Sequence, residues 1–226
     1  MWHGLPTVLS PRPKASIAPS PLHLLARPHA HPLMSDPTND GPVFTPLLAT
    51  APLNDLGPGQ PIREMREKLA DISLDAAFAP RKIANCEMAQ ACLAALWLRF
   101  DFLDESHSIS QEIHNSTGSF WHGVMHRREP DYENAKYWFR RVGHHEVFPD
   151  LWKYANLIAA AEAVERLDPA AQFLIDQEQW DPFRFVDLVA SVARDRVPHQ
   201  MLCRQIQRKE WQLLFDFCCR RAIGMS

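Results

Sequence analysis

The sequence predicts an all-α chain: one helical-bundle-like domain of about seven or eight helices, preceded by a disordered, proline-rich tail. Three observations carry this. From Pro61 onward, apolar residues recur at the three- and four-residue spacing of helix faces. The alternation of Val, Ile and Thr that strands need is missing. Thirteen of the 19 prolines fall at or before Pro61, and no acidic residue precedes Asp36. A stretch so poor in apolar faces cannot offset the entropy of ordering, so residues 1–55 read as tail and 56–226 as the helical domain.

Within the tail, Arg12, Lys14 and Arg27 without acids resemble a transit peptide, but the dense prolines forbid its amphipathic helix. Pro6, Pro11 and Pro13 likewise interrupt every apolar run that a secretory signal would need. A start at Met34 instead of Met1 is the other reading of this segment.

The helices follow in order. Pro61–Leu74 is expected to form a short one, with Ile62, Met65 and Leu69 on one face. Asn85 caps a long helix running towards Ile113, with Met88, Cys92, Leu96, Phe100 and Leu103 along one stripe. Gly118 and Ser119 break it and start a shorter helix through Arg128. Pro130 ends that helix, Asp131 caps the next, and Gly143 stops it after Val142. Asp150 precedes an alanine-rich helix ending near Leu167, and Asp168-Pro169 is a cap followed by a first-turn proline. Asp181-Pro182 repeats that device before Phe185, Leu188 and Val192. Pro198 opens the last helix, with Leu202, Ile206 and Leu213 inward and Gly224 as its stop.

Composition limits function. With 24 basic against 27 acidic side chains the net charge is −3, which argues against a nucleic-acid partner. No run of about 18 apolar residues exists to span a membrane. The five cysteines are odd in number and lack Cys-x-x-Cys spacing, so neither a disulfide framework nor a zinc ribbon is expected. Cys86 and Cys92 read as small core residues, and a reducing cytoplasm is the expected compartment.

Histidine distribution is the most informative feature. Outside the tail, six of seven histidines lie between His107 and His145. His122 and His126 stand four positions apart, so a helix projects both imidazoles from one face. Glu129 continues that stripe and is suited to ligate, to accept a proton or to orient an imidazole. A third ligand would come from the preceding helix. His107 continues the apolar stripe of Phe100 and Leu103, and His114 lies nearer the turn; His107 is preferred because it sits deeper. The plainer alternative is a set of hydrogen-bonded core histidines, since ring nitrogens are not cheaply left unsatisfied. His144 and His145, after Gly143, are expected in an exposed loop.

Beside the histidines, Tyr137, Trp138 and Phe139 are consecutive and cannot share one helix face, so two pack inward and one flanks a cleft. Arg127, Arg128, Lys136, Arg140 and Arg141 place five cations nearby, with guanidinium forks suited to carboxylate or phosphate. Arg127, Arg128, Tyr137, Trp138, Arg140 and Arg141 are therefore the candidate substrate-binding residues. The competing reading pairs Arg127 or Arg128 with Asp131 or Glu133 on a solvated face.

The segment SFWHGVMHRREPDYENAKYWFRRVG resembles the core of a family of uncharacterised bacterial and fungal proteins, and the likeness extends weakly from about Leu56 to the C-terminus. A looser likeness carries chemistry. His122-x-x-x-His126-Arg127 is similar to the His-x-x-x-His-Arg-Gly-Gln ending of DinB/YfiT-like proteins, although Arg128-Glu129-Pro130 stands here in place of Gly-Gln and the continuing helix. Those proteins are helical bundles that hold a divalent metal on three histidines, often as hydrolases or thiol transferases. The resemblance implies His122 and His126 as ligands, with His107 the upstream third.

These readings converge on an enzyme using one divalent metal, zinc, iron or nickel, for hydrolysis or group transfer on a small anionic molecule. An open metal position brings the pKa of bound water towards about 7. Glu129 would be the general base, and Arg127, Arg140 or Arg141 would hold the anion. A non-enzymatic module binding a small anion or a partner helix is the first alternative, and a purely structural polar centre the second.

Overall fold

The computed structural model describes residues 41–163, 167, 169–195 and 199–225, together with Met1. The chain divides into two units, Met1–Met34 and Ser35–Ser226; apart from Met1, the described residues belong to the second. Among them there is no strand. The order is α1 (Gly41–Ala49), a 3-10 turn (Arg63–Met65), α2 (Arg66–Ala70), α3 (Leu74–Phe78), α4 (Cys86–Arg99), α5 (Leu103–Ser110) and α6 (Ser116–Arg128). Then come α7 (Tyr132–Val142), α8 (Phe148–Ala163), α9 (Phe173–Asp176), α10 (Pro182–Asp195) and α11 (Gln200–Ala222). The all-α architecture is thus as the sequence predicts, and none of these helices is long and apolar enough to cross a membrane.

Helix α6 is the axis of the site. Every residue from Thr117 to Arg128 is buried, with α4, α5 and α7 packed around it. A helix enclosed this way must find a partner for each polar side chain it carries. Its start is set by Asn115, whose side chain accepts from Gly118 N at 3.0 Å. Helix α7 begins the same way, with Asp131 accepting from Asn134 N at 3.3 Å, and ends at Gly143 with φ 62°. The two helices approach closely at Gly123, where a Cβ would lie 3.1 Å from the Phe139 ring. That contact seats Phe139 of α7 directly on α6.

Three expectations are corrected. The long helix from Asn85 is two helices: Phe100, Asp101 and Phe102 interrupt it, with Asp101 at φ 66°. Asn54 Nδ2 donates to the Asp101 carboxylate at 2.7 Å and Arg128 at 2.6 Å, which holds the break. Second, 1–55 is not all tail. Residues 41–49 form α1, whose Phe44 is fully buried edge-on against Phe78 and Phe215 at 5.4 and 5.5 Å. Residues 2–40, the expected Asp168 cap and the expected helix start at Pro198 lie outside the described residues. Third, Cys86 is exposed at the start of α4, whereas Cys92 is buried as expected.

Candidate metal centre

Helices α5 and α6 bring three histidines together. One ring nitrogen each from His107, His122 and His126 lies within 4.8 Å of the others. The His107 ring stands edge-on to His122 at 4.6 Å and to His126 at 5.3 Å, while His122 and His126 are nearly parallel at 4.8 Å. Their i, i+4 spacing on α6 produces that parallel pair, and α5 returns the third ring across the Asn115 turn. His114, the other candidate, is exposed and outside the cluster.

The environments differ ring by ring. His122 is 2% exposed, and its Nδ1 is buried without any hydrogen-bond partner. Burial pulls its pKa down to about 3, with His126 and His107 adding to the shift, so it is a neutral imidazole near pH 7. His126 is also lowered by burial, partly offset by Glu129. Glu129 Oε2 lies 2.9 Å from His126 Nδ1, and the Asn134 amide nitrogen lies 3.1 Å from Nε2. With Nδ1–H donated to the carboxylate, the lone pair of His126 is on Nε2. Trp138 lies flat on His122, 3.9 Å away and 10° from parallel, closing one side of the cluster.

Neutral imidazoles are the form that binds metal, and a buried imidazole nitrogen without a hydrogen-bond partner is available for a ligand role. Zinc–imidazole bonds of about 2.0–2.1 Å place tetrahedral nitrogens about 3.3 Å apart. The spread here is up to 4.8 Å, so the three rings would draw together to share one ion.

The other candidate residues fall into two groups. Arg127 is fully buried; both terminal nitrogens meet Glu210, Nη2 also approaches Gln207 Oε1 at 3.5 Å, and only Nε lacks an acceptor. Arg128 donates from Nε to Gly57 O at 2.6 Å and from Nη2 to Asp101 at 2.6 Å. Neither is free to bind substrate, contrary to the expectation from sequence. Both are internal cross-links, because on a helix buried all round an arginine must take its carboxylate from a neighbouring element. Nor are Asp131 or Glu133 their partners. Arg141 does stand beside the site, with its guanidinium 5.3 Å from the centre of Trp138 and 5.9 Å from that of Tyr137. Tyr137 and Arg140 are exposed, and Phe139 is buried.

Sequence reasoning missed two groups. Asn134 reaches His126 because it lies one turn after Pro130 on the facing helix, a placement that no spacing rule on α6 reveals. His145, expected at the surface, is 3% exposed. Its Nε2 meets Thr117 Oγ1 at 3.2 Å, its Nδ1 accepts from Val147 N at 3.3 Å, and Phe120 and Phe217 pack against the ring. Comparisons of the chain with family models, with curated proteins and with solved structures gave no match, so the chemistry of this centre rests on its own geometry.

Proposed function

We propose that His107, His122 and His126 hold one divalent metal ion and that the protein is a hydrolase or transferase acting on a small anionic molecule. The observation that carries this reading is the buried, partnerless Nδ1 of His122 inside a three-histidine cluster. A satisfied core histidine has no such nitrogen. The ion would supply Lewis acidity, polarising a substrate oxygen and acidifying water.

The chain's own groups define the rest. Glu129 holds the His126 Nδ1 proton and so presents Nε2 inward; in this reading it positions a ligand first, and a proton-accepting role runs through the same carboxylate. Asn134 must release Nε2 when a ligand position forms. Trp138 excludes water from one face of His122. Arg141, beside Trp138, supplies positive charge for the substrate.

The test is metal content of full-length protein purified without a histidine tag, measured by elemental mass spectrometry. Near one equivalent of zinc, iron or nickel is expected, falling to background in His122→Ala and His126→Ala. Background metal in the parent protein, with no thermal shift on adding these ions, would overturn the reading. The Arg141–Trp138–Tyr137 arrangement would then favour a metal-free binding module for small anions.

A further inference from the structure

Away from the histidines, a group of arginines meets the segment joining α1 to the remaining helices. Residues 51–58 form neither helix nor strand, so their carbonyls need partners from elsewhere. Side chains supply them. Arg99 Nη2 donates to Ala51 O at 3.1 Å, and Arg204 Nε to Asn54 O at 2.8 Å. Gln207 Nε2 donates to Asp55 O at 3.0 Å, and Arg128 Nε to Gly57 O at 2.6 Å.

Between this segment and helices α4, α6 and α11 lies a cavity of about 20 Å³, lined by Arg99, Arg128, Arg204, Arg208, Asn54 and Gln207 among others. It has room for one particle the size of a water molecule. Its charges do not balance. Asp101 pairs with Arg128 at 2.6 Å and Asp55 with Arg204 at 3.4 Å, while buried Glu210 is taken by Arg127. Among the described residues, Arg99 and Arg208 have no carboxylate within ion-pair distance. Four guanidinium groups therefore share two carboxylates. Burial lowers the Arg99 pKa to about 10, and the Arg208 charge is the next contribution.

We propose that this cavity binds one monovalent anion of chloride size, held chiefly by Arg99 and Arg208, and that the ion fastens residues 51–58 to α4 and α11. The small volume favours a monatomic anion, with the exposed Arg208 side chain at the mouth able to move aside and admit it. The charge selects an anion over water, because the terminal nitrogens of buried Arg99 meet only the neutral acceptors Asn54 Oδ1 and Ala51 O, so its positive charge has no carboxylate to offset it. Arg208 is exposed and gives the ion its entry path.

Thermal unfolding of the full chain in sodium chloride and in sodium gluconate at equal ionic strength tests this. Chloride should raise the midpoint by several degrees and saturate in the millimolar range, with bromide replacing it. Non-specific exclusion of salt from the surface gives no saturation. Arg208→Ala, at an exposed position that leaves the fold intact, should abolish the chloride increment and raise the midpoint in gluconate. Equal midpoints in both salts, an increment that never saturates, or a full chloride response in Arg208→Ala would each overturn the proposal. Crystals grown in bromide should show an anomalous peak between Arg99 and Arg208, and its absence at saturating bromide would also count against the site.

Discussion

Arg127 and Arg128, at the end of α6, direct their guanidinium groups at internal acceptors: Glu210 for one, Gly57, Pro58 and Asp101 for the other. One turn earlier, on another side of the same helix, His122 keeps a buried nitrogen with no partner. His145 sharpens the contrast. It is almost as buried as His122 and its pKa is likewise pulled down by burial, to about 4, yet both of its ring nitrogens are engaged. Burial and a depressed pKa are therefore common to a structural histidine and a candidate ligand. What separates them is satisfaction of the nitrogens.

The largest effect should come from Arg127→Ala. It leaves Glu210 charged and buried, at a cost of about 3–5 kcal/mol in urea unfolding, while metal content in the surviving native protein is unchanged. A loss under about 1 kcal/mol would mean that the arginine side of α6 is not the structural one. His145→Ala should cost about 2–4 kcal/mol, since it removes two hydrogen bonds and opens a void among Phe120, Phe148 and Phe217. Metal binding should survive that change. Adding zinc at about 100 times its Kd should stabilise the parent and His145→Ala by about 2.7 kcal/mol and His122→Ala not at all. Equal responses in all three proteins would erase the distinction between the two histidine sites.

Acid should act on both sites in one direction. A histidine with a lowered folded pKa takes up its proton more readily when unfolded, so it costs nothing above about pH 6.5 and destabilises as pH falls below that. The loss runs at up to about 1.4 kcal/mol per pH unit for each group. It levels off near pH 4 for His145 and near pH 3 for His122. Denaturation midpoints from pH 7 to 4 should fall less steeply in either alanine variant than in the parent; a flat profile in the parent would contradict the buried neutral state. The smallest effect is expected for His122→Ala itself at pH 7 without metal, within about 1 kcal/mol. Removing an unpartnered polar atom there offsets the loss of ring stacking on Trp138. Destabilisation matching that of His145→Ala would identify His122 as structural too.

Local sequence was enough for the elements that depend on neighbouring residues. The caps at Asn85, Asp131 and Asp181 each accept backbone N–H bonds within four residues, and Gly143 and Gly224 stop helices with positive φ. The four-residue spacing of His122 and His126 likewise fixed their common face, because helix periodicity is a local property. Placement of His107 across the turn was legible only as a choice between two histidines.

Tertiary structure decided whatever depended on distant partners. The break at Asp101 is held by Asn54 and Arg128, residues 47 positions before and 27 after it, and no pattern within α4 announces it. Gly59 is required there because a Cβ would collide with the Asp101 carboxylate, again an approach made across the fold. The fate of the cations on α6 belongs to the same class. Arg127 and Arg128 look like ligands for an anion in the sequence, and become cross-links because Glu210 and Asp101 arrive from α11 and from the end of α4. The sequence by itself determined that α6 is a helix with histidines on one face, since that needs only hydrogen bonds four residues apart. Only the packing of other helices around α6 determined which of its polar groups were satisfied, because a buried polar atom takes its partner from whatever chain segment is brought against it.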